Sequence, residues 1–295
     1  MRRFARLFSL LAFLSLLLSA CASGNNTQSG STASLTIDNK GSDTIVNLAL
    51  AWAEEYQTLH PDIRISVTGG GSGIGLASLA NQTTDIANAS RKIKAEETAL
   101  AKQNGFEPKE FIIARDAIGV IVNPRNPVQQ LTLEQISLIY RGKINNWKEL
   151  GGENRPIVRL SRETNSGTHV YFLETVVRLG NSKDKSLFSP DTLLLPSSEG
   201  IISEVSANPN AIGYDGLGYL SENVKTLAIA SKTGDPYILP SAQTVNDKSY
   251  SVSRDLYMYT RGEPQGTILD YLNWIRAAEA QKIVTQLGFV PIIGQ

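Results

Sequence analysis

The feature that most restricts the fold of this chain is a turn of small polar residues that recurs between strand-like and helix-like segments. It occurs three times, at Ser42–Thr44, Ser72–Gly73 and Ser166–Thr168. Strands that alternate with helices predict an α/β fold with a mostly parallel sheet. In such a sheet the strand-to-helix turns lie at the carboxyl ends of the strands, where ligands bind.

The third turn carries the most chemistry, because Arg162 stands between it and the apolar run at 157–160. A helix start exposes backbone N–H groups without intrahelical partners, and the helix dipole adds about half a positive charge there. With Arg162, Ser166 and Thr168 around that point, the turn predicts a receptor for a small tetrahedral anion. The alternative is that Ser166 or Thr168 only caps the helix. Recurrence of the arrangement in the other two turns favours the anion site.

The three turns share the chemistry of an oxyanion site and lack that of other common sites. Glycine lets the backbone approach a ligand closely, and three helix starts with Arg162 offer roughly ten donors to an oxyanion. The loop Gly69–Gly75 has neither the spacing of a dinucleotide loop nor the Gly-Lys-Ser/Thr of a P-loop. Ser72 lacks the second glycine of a nucleophile elbow, because Ile74 stands there.

The first 20 residues have the features of a secretory signal. A basic start is followed by the apolar run Leu7–Leu18 and by small residues before Cys21. This ending resembles the bacterial lipobox, which implies cleavage before Cys21 and thioether lipidation of it; an ordinary signal peptide is the alternative. Residues 21–33 are polar and small and predict a flexible tether. The protein is then expected to be anchored to a membrane surface rather than through it.

Charge excludes one class of function. Three of the 28 basic residues lie in the signal, which leaves 25 against 28 acidic ones. A broad basic surface for nucleic acid is therefore not expected. An anion site in such a chain depends on local donors rather than on net charge.

Five segments together carry a family resemblance. Gly41–Thr44, Gly69–Gly75, Ala89–Lys92, Arg162–Thr168 and Ala211–Tyr214 stand in the same order, over nearly the whole mature chain, as in the phosphate-binding lipoproteins that feed ABC-type phosphate importers. The resemblance implies a two-lobed periplasmic-binding-protein fold of type II, each lobe a mostly parallel sheet flanked by helices. Residues 34–117 and 254–295 would form lobe 1, and residues 118–253 lobe 2. Two crossings, near Asp116 and Ser253, would form the hinge.

The same resemblance implies a binding protein rather than an enzyme. Its ligand would be inorganic phosphate held between the lobes, and its protein partner the permease subunits of the importer. No cofactor, metal or nucleic acid is expected, and the protein would be a monomer facing the periplasm or the cell exterior. The motifs and turns assign phosphate binding to Ser42, Asp43, Thr44, Ser72, Gly73, Ser90, Arg91, Arg162, Ser166, Gly167 and Thr168.

One position departs from the family pattern. Some relatives carry an aspartate after the Ala-Ser of the third motif, where it accepts the proton of HPO₄²⁻ and disfavours sulfate; this chain has Arg91. We expect Asp43 to supply that acceptor, with Arg91 adding positive charge or pairing with Asp43. The alternative is that Asp43 only stabilises the start of its helix. Other oxyanions (sulfate, molybdate, tungstate) therefore stay open as ligands.

A secreted phosphatase or serine hydrolase is the remaining alternative. Against it, the sequence lacks a nucleophile elbow, and its only histidines, His60 and His169, are not placed to bind a metal together or to act as a base. His169 is predicted to lie in the first turn of its helix.

Overall fold

The structure, a computed structural model, describes residues 35–292. The predicted signal peptide, the lipidation at Cys21 and the tether lie outside the described residues. Within residues 35–292, none of the helices has the length and apolar character that crossing a bilayer requires. The same range holds no group of three or more His, Cys, Asp or Glu side chains placed to bind a metal ion.

Strands and helices alternate over most of the chain, as the turns predict. The strands are β1 (Leu35–Gly41), β2 (Ile63–Thr68), β3 (Ile86–Ala89), β4 (Pro108–Val122), β5 (Gln130–Thr132), β6 (Val158–Arg162), β7 (Leu193–Leu195), β8 (Ala211–Gly216), β9 (Lys225–Thr226), β10 (Ala228–Ala230) and β11 (Ser253–Arg261). The helices are α1 (Asp43–Leu59), α2 (Ser72–Ala80), α3 (Ala95–Gln103), α4 (Leu133–Tyr140), α5 (Gly167–Phe172), α6 (Ser198–Ala207), α7 (Ala242–Asn246), α8 (Gly266–Ile275) and α9 (Ala278–Gln286). A π-helical turn, Leu173–Val177, continues α5.

One long sheet runs through the described part of the chain, in the order β2-β1-β3-β11-β4-β8-β6-β7. Its outer strands are parallel: β1 pairs with β2 and β3, and β6 pairs with β7 and β8. The middle strands β11 and β4 are antiparallel to their neighbours. The prediction of an α/β fold with a mostly parallel sheet is confirmed.

The two largest hydrophobic cores of the described residues lie along this sheet. One holds Trp52, which is fully buried among α1, α8, α9 and the adjoining strands. The other holds Trp147, which packs with α4, the π-turn and β8. β4 contributes to both, since Ile113 and Ala114 belong to the first core and Ala117, Ile118, Val120 and Val122 to the second.

Three segments differ from what their local sequence pattern predicts. The pattern predicts two extended runs, Phe111–Ala114 and Ile118–Val122, but they form one strand, because the charged Asp116 between them is paired with Arg254 inside the protein. The polar residues 181–196 predict a loop, but they contain β7, which gains its backbone bonds from β6. Residues 224–230 predict a single strand, but they divide into β9 and β10, which pair with different strands.

Candidate functional site

The first two turns and the third motif meet at one edge of the sheet. β1 lies between its parallel neighbours β2 and β3, so the carboxyl ends of all three strands are adjacent. Ser42 follows β1, the loop Gly69–Gly71 follows β2, and Ser90 follows β3. Parallel pairing therefore brings together residues that are up to 48 positions apart in sequence.

Three serine hydroxyls form a buried group at this edge, which we call the hydroxyl cluster (Ser42, Ser72 and Ser90). Ser42 Oγ donates to Ser90 Oγ at 2.9 Å, and the Ser90 N–H donates to Ser72 Oγ at 3.0 Å. All three residues are at most 2% exposed. Buried hydroxyls need hydrogen-bond partners, and each of these can rotate toward a ligand oxygen instead of its neighbour.

The three turns differ in whether the side chain of the N-cap residue bonds to the start of the helix. Ser42 and Gly71, the N-cap residues of α1 and α2, make no side-chain cap bond. Ser166 does cap α5, since its Oγ accepts from the N–H groups of Thr168 and His169 at 3.2 and 3.4 Å. His169 lies in the first turn of α5, as predicted, and its Nδ1 is bonded to the Arg162 carbonyl.

The third turn lies directly against the first two. Thr44 Oγ1 and Thr168 Oγ1 are 2.7 Å apart, and both residues are buried. The Gly73 N–H donates to the Asn165 carbonyl at 2.9 Å. A Cβ on Gly167 would lie 2.6 Å from Ser90 Oγ and would overlap Ser72 Oγ. Glycine at 167 is therefore needed for this approach.

Arg162 ends β6 and is 1% exposed. Its Nη1 donates to Ser198 Oγ at 2.8 Å, and its Nη2 donates to Asp43 Oδ2 at 2.9 Å and to the Pro196 carbonyl at 2.8 Å. Its Nε is buried and has no hydrogen-bond partner among the described residues. An unpaired guanidinium N–H is a strong donor for an anion.

Asp43 joins Arg162 to the glycine loop. Its Oδ1 accepts the Gly70 N–H at 2.9 Å, and its Oδ2 accepts from Arg162. The expected pairing of Arg91 with Asp43 is wrong: Arg91 is bonded to Glu97 at 2.6 and 2.8 Å. Glu97 takes this place because it lies in the first turn of α3, close in sequence to Arg91. A contribution of Arg91 to anion binding and the role of Asp43 as proton acceptor stay predictions.

Sequence reasoning missed a second buried arginine, Arg254. Its Nη2 donates to Asp116 Oδ2 at 2.9 Å and to Thr168 Oγ1 at 3.0 Å, and its Nη1 donates to the Ser90 carbonyl at 2.8 Å. Burial raises the pKa of Asp116, and the charge of Arg254 opposes that rise. The available signal was a pair of charged residues inside apolar strand segments, at the two predicted crossings.

Substitution of Arg254 and Asp116 tests how much this ion pair contributes to the stability of the fold. We expect Arg254→Met to lower the free energy of unfolding by about 3–5 kcal/mol, because Asp116 is left charged and buried without a partner. The double variant Asp116→Leu/Arg254→Met is expected to regain most of that stability. Denaturant unfolding of the wild type and the three variants, including Asp116→Leu alone, measures the coupling. A double variant no more stable than Arg254→Met would contradict this account.

Sequence reasoning also missed Asp215, at the end of β8. Its Oδ1 accepts from Ser198 Oγ at 2.9 Å, and Ser198 in turn accepts from Arg162. Burial raises the pKa of Asp215 to about 6, against the lowering effect of Arg162. The prediction stopped at Tyr214, and no local pattern distinguishes a buried aspartate at a strand end from a surface residue.

Comparison with known proteins gives the class of this fold and site. Residues 26–279 match the model of the PBP superfamily domain. The phosphate-binding protein PstS of Pseudomonas aeruginosa is 30% identical over 282 residues, which cover 90% of this chain and 85% of that protein. PstS of Bacillus subtilis is 31% identical and covers 92% of this chain and 84% of its own length.

Solved structures of phosphate-binding proteins are also similar to this chain in fold and sequence. A Clostridium perfringens protein crystallised with bound phosphate is 34% identical, with a TM-score of 0.77 over 87% of this chain and 99% of that one. An ABC-type phosphate transport receptor from Vibrio cholerae is 28% identical, with a TM-score of 0.69 over 86% of this chain and 99% of its own. The chain belongs to the PBP superfamily, and within it to the family of the phosphate-binding proteins. The predicted family and the prediction of a binding protein rather than an enzyme are confirmed.

Proposed function

We propose that this protein captures inorganic phosphate outside the cytoplasm and delivers it to an ABC-type importer. The observation that carries the proposal is the buried Arg162, whose Nε lacks a partner among the described residues. It is joined through Asp43 to the glycine loop beside the hydroxyl cluster. Family membership supports phosphate as the anion.

The chemistry of the surrounding groups suits a tetrahedral oxyanion. In the structure Thr44 is hydrogen-bonded to Thr168, and the serines of the hydroxyl cluster are hydrogen-bonded among themselves. An anion among them would exchange these neutral bonds for charge-assisted ones, which are about twice as strong. The N–H groups at the start of α1 add donors, since the first turn of a helix leaves them without intrahelical partners. The predicted phosphate ligands are proposed on this basis.

We propose that residues 34–117 with 254–295, and residues 118–253, move as two lobes around phosphate. Every contact described between the third turn and the first two joins these two parts, among them Thr44–Thr168 and Asp43–Arg162. Because phosphate would bond to groups on both parts, it stabilises the closed arrangement by its preference for that state. A hinge through β4 and β11 is consistent with the two hydrophobic cores on either side.

We propose further that a thioether lipid at Cys21 holds the monomeric protein at the outer side of a bacterial membrane, where the permease subunits are its partner. The sequence before Cys21 supports this, since it has the small residues of a lipobox. Intact-mass measurement of the protein purified from membranes tests it. Loss of residues 1–20 with a lipid-sized mass increase is expected, and a Cys21→Ser variant should keep its signal and gain no lipid mass.

Calorimetry on residues 34–295 tests the ligand. Phosphate is expected to bind at least about tenfold more tightly than sulfate or molybdate, because a site that pairs with a substrate hydroxyl rejects an anion without one. If Asp43 accepts the phosphate proton, the Asp43→Asn variant should show a smaller ratio of phosphate affinity to sulfate affinity than the wild type shows. Tight binding of another oxyanion without binding of phosphate would overturn the proposal.

A further inference from the structure

The carboxyl group of Asp215 is deeply buried beside the candidate site, and only one of its two oxygens is hydrogen-bonded among the described residues. Oδ1 accepts two hydrogen bonds, from Ser198 Oγ at 2.9 Å and from the Gly216 N–H at 2.8 Å. Oδ2 is buried and has no partner among the residues that the structure describes. A buried carboxylate oxygen without a partner is costly, whereas a protonated oxygen loses much less on burial.

One hydroxyl separates this carboxyl group from the arginine of the candidate site. Ser198 Oγ donates to Asp215 and accepts from Arg162 Nη1 at 2.8 Å, so its orientation is fixed at both ends. A change in the charge of Asp215 therefore reaches Arg162 through a single side chain. An anion bound to Arg162 acts on Asp215 over the same short path.

The charges near the site do not balance. Two buried arginines, Arg162 and Arg254, are each paired with a carboxylate, Asp43 and Asp116. Asp215 is then a third carboxylate with no cation of its own. Adding a phosphate anion to this group increases the excess of negative charge in a region shielded from water, where uncompensated charge is strongly disfavoured.

The groups that face Asp215 come from several elements. Arg162 at the end of β6 lowers the pKa of Asp215, whereas Asp116 in β4 raises it. Tyr214 in β8 and Tyr219 in the following turn are neutral phenols, because burial raises the pKa of each. Ser198 at the start of α6 contributes a hydrogen bond and no charge.

We propose that Asp215 takes up a proton from solvent when phosphate binds, so that phosphate capture is coupled to proton uptake. This inference rests on the proposed phosphate function. The proton bonds to Oδ2, which leaves both hydrogen bonds at Oδ1 in place. It enters while the proposed lobes are apart and is retained when they close. Uptake of this proton cancels one of the negative charges that closure brings together.

The sign of the effect on affinity follows from linkage. Burial raises the pKa of Asp215 to about 6 in the arrangement that the structure shows, before the charge of an anion is added. A negative charge on the order of 10 Å away in the protein raises a carboxyl pKa by about one unit. With phosphate bound the pKa of Asp215 is then about 7, so Asp215 is about half protonated at pH 7, whereas without phosphate it is mostly ionised at that pH. The affinity for phosphate therefore falls as the pH rises from about 6 to about 7, by about tenfold in total for a pKa shift of one unit.

Calorimetric titration of the wild type and Asp215→Asn with phosphate, in buffers of different ionisation enthalpy, counts the protons taken up. Phosphate's own ionisation contributes equally to both proteins and cancels in the difference. At about pH 6.5, midway between the free and bound pKa values, we expect the wild type to take up about half a proton more than Asp215→Asn takes up. Asp235→Asn, which removes an exposed carboxylate, is the matched control and should behave as the wild type.

Each outcome has a distinct meaning. Equal proton uptake by the wild type and Asp215→Asn overturns the coupling while leaving phosphate binding intact. Failure of the wild type to bind phosphate overturns the proposed function instead. If Asp215→Asn does not fold, infrared difference spectra of the wild type decide. Phosphate should then produce the carbonyl band of a buried protonated carboxylic acid, and a spectrum without that band overturns the proposal.

Discussion

Replacement of Arg162 by lysine is expected to lower the affinity for phosphate by about a hundredfold or more, equivalent to roughly 3 kcal/mol. Lysine keeps the positive charge but has no planar fork, so it cannot replace three guanidinium nitrogens at once. In the structure Nη1 and Nη2 hold Ser198 and Asp43, and Nε is left to donate to the anion. Calorimetric titration with phosphate measures the loss.

Arg159 offers a matched control on the same strand. It is also buried, and its guanidinium bonds to Asp191 at 2.9 Å and to the Ile144 carbonyl at 2.8 Å. Arg159→Lys should therefore lower the free energy of unfolding much as Arg162→Lys does, since both substitutions disrupt a buried guanidinium network. Only Arg162→Lys should weaken phosphate binding. Equal affinities for the two variants would exclude Arg162 from the anion site.

The sequence was sufficient for the parts of the site that local pattern encodes. Ser42, Ser72 and Ser166 were found because each follows a strand and begins a helix. Parallel pairing of β1 with β2 then brings the turns of Ser42 and Ser72 to one edge of the sheet. Glycine at 167 was found because a backbone that must approach a ligand needs no Cβ. These inferences depend on short-range geometry, which neighbouring residues largely determine.

The parts that sequence reasoning missed depend on long-range pairing. Arg254 meets Asp116 across 138 positions, and Asp215 reaches Arg162 only through Ser198. No periodicity or motif indicates which carboxylate a buried arginine will meet. The wrong pairing for Arg91 has a different origin, because its partner Glu97 is only six positions away and competes locally with Asp43.

The second large effect is expected from Gly167→Ala, which should abolish measurable phosphate binding or weaken it at least about a hundredfold, while the protein stays folded. The added Cβ would lie 2.6 Å from Ser90 Oγ and 3.0 Å from Ser72 Cβ. Rotation of a serine hydroxyl relieves the first contact but not the second. Cores packed this closely do not absorb an extra methyl group without displacement. The alanine therefore keeps the proposed lobes apart.

Folding itself should tolerate this change. Gly167 is not among the glycines with positive φ, and alanine at such a position typically adds about 0.4–1 kcal/mol of stability through the unfolded state. Gly200, in the first turn of α6, is the matched control, because the closest atom to a Cβ there is Ser197 Oγ at 3.3 Å. Both variants should melt no lower than the wild type. In small-angle scattering, addition of phosphate should make Gly200→Ala more compact and leave Gly167→Ala unchanged. Compaction of both variants would show that the close approach of Gly167 to Ser72 and Ser90 is not required for closure.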